Sequence, residues 1–239
     1  MGARIEKVDR VGKHLLLTLT GAKGAIGIWS HLGMTGKWLR RTDEDAAPRA
    51  TRVRLDLDDG SRLHYVDPRM FGRFRLVKGA RFDEVADLKA LGPDPLTEGI
   101  DVATLHRTLQ ATAIPIKVAL LDQRRLAGVG NILANESLHR AAIDPRRASR
   151  SLSRAEVGRL ARSILTSIHH GLAEFATTGA DGDAVDVAYV EDPGTPNPFL
   201  VYGRAGSPCP RCKRRRTGSL IRRIVQAQRA TFFCPVCQL

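Results

Sequence analysis

The chain has 239 residues, 43% of them hydrophobic and 26% charged, a composition that is typical of folded proteins and excludes wholesale disorder. Its 38 Lys and Arg residues outnumber 25 Asp and Glu residues, so the formal net charge is +13 and acidic partners are favoured, above all nucleic acid or an anionic membrane surface. No apolar run approaches the roughly 18 residues that span a bilayer, and the first residues predict no secretory signal, which argues against a membrane protein.

The first hundred residues are predicted to form mostly β-strands, because β-branched and large apolar residues are interrupted by Gly-containing breaks. The Asp59-Gly60 pair is typical of a hairpin turn. Residues 40–49 are polar and are predicted to form a loop. The predicted strands cover residues 5–11, 14–19, 25–30, 52–57, 62–66 and 73–77.

From Asp101 onward the apolar spacing becomes helical. Asp101 is the predicted N-cap of a helix that runs to about Leu109. Two further helices are predicted over 116–123 and 131–142, with a break at 124–130 between them.

A fourth helix is predicted behind Ser153 and Glu156, whose spacing is that of a capping box. The apolar residues that follow fall on one helical face; they are Val157, Leu160, Ile164, Ile168 and Leu172. Residues 176–198 carry Gly, Pro and Asp and are predicted to form a mobile loop. The tail from Val201 is predicted to be a small hairpin held by a metal, so the residues alone predict a β domain, a helical domain and a metal module.

All four cysteines lie in the last 31 residues, as Cys209-x-x-Cys212 and Cys234-x-x-Cys237 with 21 residues between the pairs. Two such pairs can offer four thiolates to a tetrahedral Zn²⁺, and a closed Cys₄ site of this kind is structural. The spacing shows no fifth ligand nearby. A redox Cys-x-x-Cys is the main alternative, but it leaves one pair unused.

The same tail holds most of the excess charge. Residues 204–239 contain nine Lys or Arg residues and no acidic residue, which gives +9 of the total +13. A run of charge is often only a solvated face, but here it is combined with a metal-ligand pattern. The combination favours a basic hairpin that binds an anionic partner; a zinc-ribbon RNA-binding or ribosome-associated protein is one class it permits.

A glycine-rich loop, residues 126–131, joins two predicted helices. Gly128 and Gly130 allow a positive φ or a close approach of the backbone, and Asn131 opens the next helix, whose free N–H groups favour a phosphate. The spacing alone is equally compatible with a plain helix–turn–helix connection.

Several long segments resemble the formamidopyrimidine-DNA glycosylase family, which is related to endonuclease VIII. The segment Ile116 to Glu136 is similar to the helix–two-turns–helix of that family. Four others match in the same order along the chain: His31-Leu-Gly-Met-Thr-Gly36, Asp67-Pro-Arg-Met-Phe-Gly72, Leu91-Gly-Pro-Asp-Pro-Leu96 and Gln228-Arg-Ala-Thr-Phe-Phe-Cys-Pro-Val-Cys-Gln238. The segments around Met34 and Phe71 are closer to the branch that acts on guanine lesions.

The resemblance implies a multidomain α+β fold. It comprises an N-terminal β-sandwich-like domain (1–97), which is incomplete relative to the family, a helix–two-turns–helix domain (98–199) and a C-terminal zinc finger (200–239) with one structural Zn²⁺. The implied activity is base-excision repair: removal of oxidised purines from duplex DNA by base flipping, followed by cleavage of the strand by elimination. The implied partner is double-stranded DNA containing oxidised bases or abasic sites. We expect a monomer in a bacterial cytoplasm, associated with the nucleoid.

The resemblance also assigns roles to matched positions. Met34, Arg69 and Phe71 correspond to the residues that fill the gap left by an extruded base, which suits two apolar wedges and a hydrogen-bonding guanidinium. Without the resemblance, Met34 and Phe71 would be expected in a core. Other implied DNA-binding residues are His31, Arg52, Lys117, Gly130 and Asn131.

Three residues are matched to chemistry or to the reacting site. Lys13 is assigned to proton transfer during strand elimination. Arg229 is assigned to phosphate binding and to the second elimination step. Glu136 matches an acidic residue of the family's site. Glu136 is alternatively an ordinary helix-surface residue.

The resemblance departs at the nucleophile, which in the family is an N-terminal proline followed by Glu. The present sequence begins Met1-Gly2-Ala3-Arg4 and has no proline before Pro48. Three interpretations stay open: the natural start lies upstream and the protein is active, the chain binds damaged DNA without cutting it, or an amine of Gly2 or Lys13 substitutes.

Overall fold

The computed structural model describes residues 2–42, 47–176 and 197–239, apart from the side chains of 174–176. The chain divides into two compact units, which meet in sequence between Ala90 and Leu91. None of the described helices combines the length and the apolar character that crossing a bilayer requires. Most of the predicted loop at 176–198 lies outside the described residues.

The described part of the first unit forms antiparallel strands in two sheets, with the orders β1-β2-β3-β7 and β4-β6-β5. A 3₁₀ turn at Phe82–Glu84 and a short helix close the unit. These elements are β1 (Ala3–Val11), β2 (His14–Gly21), β3 (Gly24–His31), β4 (Lys37–Arg41), β5 (Thr51–Asp56), β6 (Arg62–Val66), β7 (Arg73–Lys78) and α1 (Ala86–Lys89).

The two sheets are joined by an aromatic cluster. The rings of Trp38, Tyr65 and Phe74 lie 5.3 to 6.4 Å apart, centroid to centroid, and the Trp38 indole N–H donates to Ser30 Oγ at 3.3 Å. Trp38 and Tyr65 belong to the second sheet, whereas Ser30 and Phe74 belong to the first. Trp38 and Tyr65 suit this place, since each ring packs between the sheets while its polar atom finds a partner in the first sheet, Ser30 Oγ for Trp38 and the His31 carbonyl for Tyr65. The predicted sandwich-like β fold is confirmed.

The prediction that 40–49 is a loop is wrong at its beginning, because β4 includes Arg40 and Arg41. This strand pairs with β6 along its whole length, and the Arg40 Nε donates to Ser61 Oγ at 2.9 Å. Only Leu39 of this strand is fully buried, so the strand has one core residue and its end lies in a polar stretch of the sequence that does not resemble a strand.

The described part of the second unit contains five helices and one hairpin. They are α2 (Val102–Gln110), α3 (Ile116–Leu120), α4 (Asn131–Ala141), α5 (Arg154–Ala176), α6 (Pro210–Arg214), β8 (Arg222–Gln226) and β9 (Arg229–Phe233). Fifteen residues of its helical core are buried, among them Leu109, Leu138 and Leu160.

The N-cap predicted at Asp101 and the capping box predicted at Ser153 and Glu156 are both confirmed. The Asp101 carboxylate accepts the N–H groups of Ala103 and Thr104, as an N-cap does. The Ser153 N–H donates to Glu156 Oε2 at 2.8 Å and the Glu156 N–H donates back to Ser153 Oγ at 3.3 Å, so the capping box is closed in both directions.

The helix predicted over 116–123 is shorter than expected, since α3 ends at Leu120. The Gln123 side chain explains the early end. Its amide nitrogen donates to the carbonyls of Leu121 and Val129, and its amide oxygen accepts the Gly128 N–H. One glutamine thus closes the turn between α3 and α4, where a further helical turn would leave these groups unpaired.

Candidate functional site

The four cysteines converge in the second unit. Their Sγ atoms all lie within 4.8 Å of one another, and two of the approaches are 3.5 Å (Cys212–Cys234) and 3.7 Å (Cys209–Cys237). Metal–sulfur bonds of about 2.3 Å in a tetrahedron place sulfur atoms about 3.8 Å apart, so the arrangement fits a four-coordinate ion. Three of the thiols are buried and none is in a disulfide. These residues can hold a metal ion.

A histidine lies against these cysteines, although their spacing showed no further donor nearby. His139 Nε2 is 3.5 Å from Cys209 Sγ and 3.9 Å from Cys237 Sγ. His139 belongs to α4, 70 residues before Cys209, so no cysteine motif could have found it. The available signal was the four-residue spacing of Asn131, Asn135 and His139, which places them on one helical face.

The hairpin beside the metal site presents Arg229. Ala227 and Gln228 form its turn with φ values of 45° and 60°, and Arg229 is the first residue of β9 and is exposed. Positive φ at both central positions matches the natural twist of a hairpin, although neither residue is glycine.

Two side chains from the helices converge on the carbonyl of Ala230, next to Arg229. Lys117 Nζ donates to it at 3.3 Å and Asn131 Nδ2 at 3.1 Å. Lys117 is 0% exposed. Burial, together with the charge of Arg229, lowers the pKa of Lys117 from 10.5 to about 8. Lys117 therefore contacts the β9 backbone directly after Arg229.

The loop between α3 and α4 has one glycine in the left-handed region. Gly128 has φ +85°, whereas Gly130 is extended at φ −108° and precedes the first residue of α4, Asn131. Gly130 therefore allows a close approach but needs no positive φ. No side chain caps this helix, so the N–H groups of its first turn are available to an anion.

Glu136 lies farther along α4, and its carboxylate holds the segment 199–202. One oxygen accepts the N–H groups of Val201 (2.9 Å) and Tyr202 (3.0 Å), and the other accepts that of Leu200 (2.9 Å). Glu136 is only 4% exposed. Neither an exposed helix-surface residue nor an open catalytic acid has this environment.

In the first unit, Asp67 braces two loops, 32–36 and 67–72, against each other. Its buried carboxylate accepts the Thr35 hydroxyl at 2.8 Å and the Gly72 N–H at 2.7 Å. Burial alone would raise the pKa of Asp67, but these hydrogen bonds outweigh it and hold the pKa below its ordinary value. At Gly33, φ is +63° and a Cβ would lie 2.5 Å from the carbonyl carbon of Phe71, so only glycine allows this approach of the two loops.

These loops carry Met34, Arg69 and Phe71. Met34 is 58% exposed and Phe71 is 55% exposed, so neither is a core residue. The Arg69 guanidinium lies over the Phe71 ring, 5.0 Å from its centroid. Beside them, Arg52 Nε donates to the carbonyl of Asp67 at 3.0 Å, which ties β5 to the same loop.

Lys13 and His31 lie at one end of the first sheet. Lys13 is in the β1–β2 turn, and His31 ends β3 opposite His14. The Gly33 N–H donates to His31 Nδ1 at 3.0 Å, which assigns the proton of the neutral ring to Nε2. Burial, with the charges of Arg73 and Lys13, lowers the pKa of His31. A neutral ring with its proton on Nε2 can donate to an anion.

Comparison with known proteins gives a consistent assignment. A family model described as the formamidopyrimidine-DNA glycosylase N-terminal domain matches residues 1–74, and one described as the H2TH domain of the same family matches residues 91–181. The formamidopyrimidine-DNA glycosylase of Thermus thermophilus is 41% identical over an alignment of 241 positions, which covers 99% of this chain and 83% of the relative. That of Desulfitobacterium hafniense is 37% identical over an alignment of 242 positions, which covers 100% of this chain and 83% of the relative.

Solved structures agree. The crystal structure of the MutM (Fpg) protein from Thermus thermophilus superposes with a TM-score of 0.77 at 39% identity, over 99% of this chain and 84% of that one. A complex of the Lactococcus lactis Fpg with DNA containing an abasic site has a TM-score of 0.82 at 29% identity, over 100% and 83% of the two chains.

Proposed function

The chain belongs to the formamidopyrimidine-DNA glycosylase family, and from that premise we propose that it is a base-excision repair enzyme, a DNA glycosylase with AP-lyase activity that removes oxidised purines from duplex DNA. The observation that carries this proposal is the braced loop pair of the first unit, which holds three large apolar side chains in solvent, those of Met34, Met70 and Phe71. Exposed apolar residues on a rigid support are typical of a binding surface.

Met34 and Phe71 suit the task of filling a base stack. Extruding a damaged base leaves a void and an unpaired partner base, and apolar side chains inserted at that step replace the lost stacking. Arg69 lies over Phe71 and can hydrogen-bond the partner base. Because Asp67 and Gly33 fix both loops, the wedge needs little ordering on binding, which favours affinity.

Phosphate contacts are proposed from both units. In the first unit, the Nε2–H of His31, with Lys13 and Arg52, supplies donors for the strand that carries the lesion. In the second unit, the N–H groups at the start of α4 after Gly130, the Asn131 side chain and Arg229 supply others. Lys117 contributes indirectly, since its ammonium is buried and positions the start of β9, which carries Arg229.

The ion proposed for the four cysteines is zinc. Thiolate ligands in a tetrahedron favour Zn²⁺, and a site with four protein ligands leaves no open position for catalysis. Cys209, Cys212, Cys234 and Cys237 would hold the ion, which stabilises a short basic hairpin with little core of its own.

The proposed chemistry proceeds through an amine of the chain. Its nitrogen forms a bond to C1′ of the damaged nucleotide while the bond from C1′ to the base breaks and the electron pair leaves with the base. The C1′–O4′ bond then breaks as O4′ takes up a proton, which leaves a protonated imine between C1′ and the nitrogen. Loss of a proton from C2′ then breaks the C3′–O bond, and the 3′ phosphate leaves with the electron pair, which cuts the strand. Lys13 and Arg229 are proposed to transfer protons in these steps. For Glu136 we propose a positioning role through the 199–202 segment.

The partner proposed is duplex DNA that contains oxidised bases or abasic sites, bound by a monomer at the bacterial nucleoid. The net charge of +13 suits this partner, because neutralised phosphates release counterions. Among damaged bases, we propose a preference for oxidised purines.

Borohydride trapping tests the enzyme directly. The chain is incubated with a duplex carrying an oxidised guanine, with an abasic-site duplex and with an undamaged one, and sodium borohydride reduces any imine to a stable adduct. An adduct with the oxidised-guanine duplex and with the abasic-site duplex, but not with the undamaged one, supports the glycosylase/lyase. Retention of lesion DNA without an adduct would favour the alternative function, a damaged-DNA-binding protein that does not cut. Equal binding to all three duplexes and no adduct would overturn both.

Arg229→Gln tests the phosphate clamp. We expect binding to weaken for every duplex and the slope of log affinity against log salt to fall by about 1, because one phosphate contact is lost. Arg222→Gln, on the neighbouring strand, is the matched control. A loss confined to one sequence context would contradict the assignment.

A further inference from the structure

One face of α4 is bonded to the hairpin and metal module along its length. Asn131, Asn135 and His139 are spaced by four residues and therefore lie in one row. Asn131 Nδ2 donates to the Ala230 carbonyl, Asn135 Oδ1 accepts the Phe232 N–H at 2.6 Å, and His139 Nε2 lies 3.5 Å from Cys209 Sγ. The first two contacts hold the hairpin backbone, and the third reaches a metal ligand.

The surroundings of His139 leave few partners for its ring. The residue is 2% exposed, so water has little access. Its Nδ1 finds no hydrogen-bond partner among the described residues, whereas its Nε2 faces the sulfur atoms of Cys209 and Cys237. A buried N–H group without an acceptor is costly, so a proton placed on Nε2 is favoured over one placed only on Nδ1.

We propose that His139 donates a hydrogen bond from Nε2 to the thiolate of Cys209 and thereby slows release of the metal ion. This inference rests on the proposed metal site. Metal-bound cysteines are thiolates, which accept hydrogen bonds and cannot donate them. Four thiolates around a divalent ion carry net negative charge, and an N–H dipole aimed at one of them stabilises that charge.

The consequence is that α4 is part of the metal site, although it supplies no ligand. Outer partners of this kind orient ligands, and their loss typically weakens metal binding 10- to 100-fold. Arg211, next to Cys212, adds a second link, because its guanidinium donates to the Arg140 carbonyl at the same end of α4 at 2.9 Å.

The wild-type protein provides the first test. Histidine ring nitrogens are labelled with ¹⁵N and observed by NMR in the zinc-loaded full chain, where we expect a proton on His139 Nε2. A neutral ring with its only proton on Nδ1 would overturn the proposal. This measurement needs no variant and does not depend on activity.

Co²⁺ in place of Zn²⁺ supplies the second test. His139→Phe keeps an aromatic ring but removes the donor, and His139→Gln restores an N–H at a similar distance. Ser137→Ala, a buried residue of the same helix, is the control. A hydrogen bond lowers the energy of sulfur electrons, so we expect the sulfur-to-cobalt charge-transfer bands to shift to longer wavelength in His139→Phe and to stay near the wild-type position in the other two.

Metal transfer to a chelator supplies the third. We expect His139→Phe to release the ion at least about tenfold faster than wild type, with partial rescue in His139→Gln. Unchanged bands and an unchanged release rate in His139→Phe would overturn the role of His139 alone. A wild-type chain that bound no Co²⁺ through its thiolates would overturn the metal proposal, and this one with it.

Discussion

In the first unit most of the family-matched residues are exposed and His31 is half-buried, whereas in the second unit several of them face inward. Met34 and Phe71 are more than half exposed on loops that Asp67 braces, while Lys117 and Glu136 are buried and hold backbone groups. We propose that these are two ways to build a DNA-binding surface. In the first unit a braced loop presents the apolar side chains directly, whereas in the second unit buried polar groups position the hairpin strand that begins with the exposed Arg229.

The largest effect on stability is expected when the four-cysteine site is broken, and the effect should be confined to the second unit, which contains this site. Cys234→Ser should remove the ion and leave the hairpin without enough core to stay folded, since structural zinc contributes on the order of 10 kcal/mol. Hydrogen exchange should show lost protection in 200–239 and an unchanged first unit, and affinity for duplex DNA should fall at least about 100-fold. Val236→Ala, an exposed position between the ligands, is the control; a protected hairpin in Cys234→Ser would contradict the dependence.

The Glu136→Gln variant distinguishes a positioning role of this carboxylate from a role as a catalytic acid. Glu136→Gln replaces a carboxylate that accepts three backbone N–H groups, so we expect the free energy of unfolding to drop by about 4 kcal/mol, given about 1.5–3 kcal/mol per charge-assisted bond and partial retention by the amide oxygen. Urea denaturation measures this. If Glu136 is instead a catalytic acid, the variant keeps its stability and loses only strand cleavage.

Lys117 gives a pH dependence that the exposed residues of the first unit do not share. Its pKa is about 8 in the folded chain and 10.5 in the unfolded one, so folding disfavours the charged form. Below pH 8 the full penalty applies, and it is relieved as pH rises from 8 to 10.5. Relative to Lys117→Met, the wild type should therefore gain up to about 3 kcal/mol of unfolding free energy across that window. Denaturant titrations at several pH values measure it; parallel pH curves for the two proteins would contradict the burial of a charge.

The smallest effect on stability is expected at the wedge. Phe71→Ala and Met34→Ala remove exposed side chains, so the free energy of unfolding should change by no more than about 0.5 kcal/mol. Affinity for lesion-containing duplex should nevertheless fall at least about tenfold, about 1.4 kcal/mol. Leu76→Ala, another exposed apolar residue, lies on a strand away from these loops and should change neither quantity. A large loss of stability in Phe71→Ala would place that ring in the core.

Much of this could be predicted from the sequence. The strands of the first sheet, the Asp101 cap and the Ser153 capping box follow from local patterns, because periodicity and caps act within a few residues. The four cysteines were identified by spacing alone. The strand β4 was missed, because four of its five residues are polar or only partly buried and its pairing with β6 is a contact at long range.

The sequence by itself determined which residues are candidates for the site: the four cysteines, the basic hairpin and the apolar loop residues, since residue type fixes which chemistry a position can support. Only the tertiary structure decided how each residue is used. Lys117 and Glu136 carry the charges expected of a DNA-binding or catalytic group, yet both are buried and bond to backbone groups, and His139 contacts Cys209, 70 residues away. Charge is a property of the side chain, but its role depends on which groups surround it and whether water reaches it, and those depend on how distant segments pack.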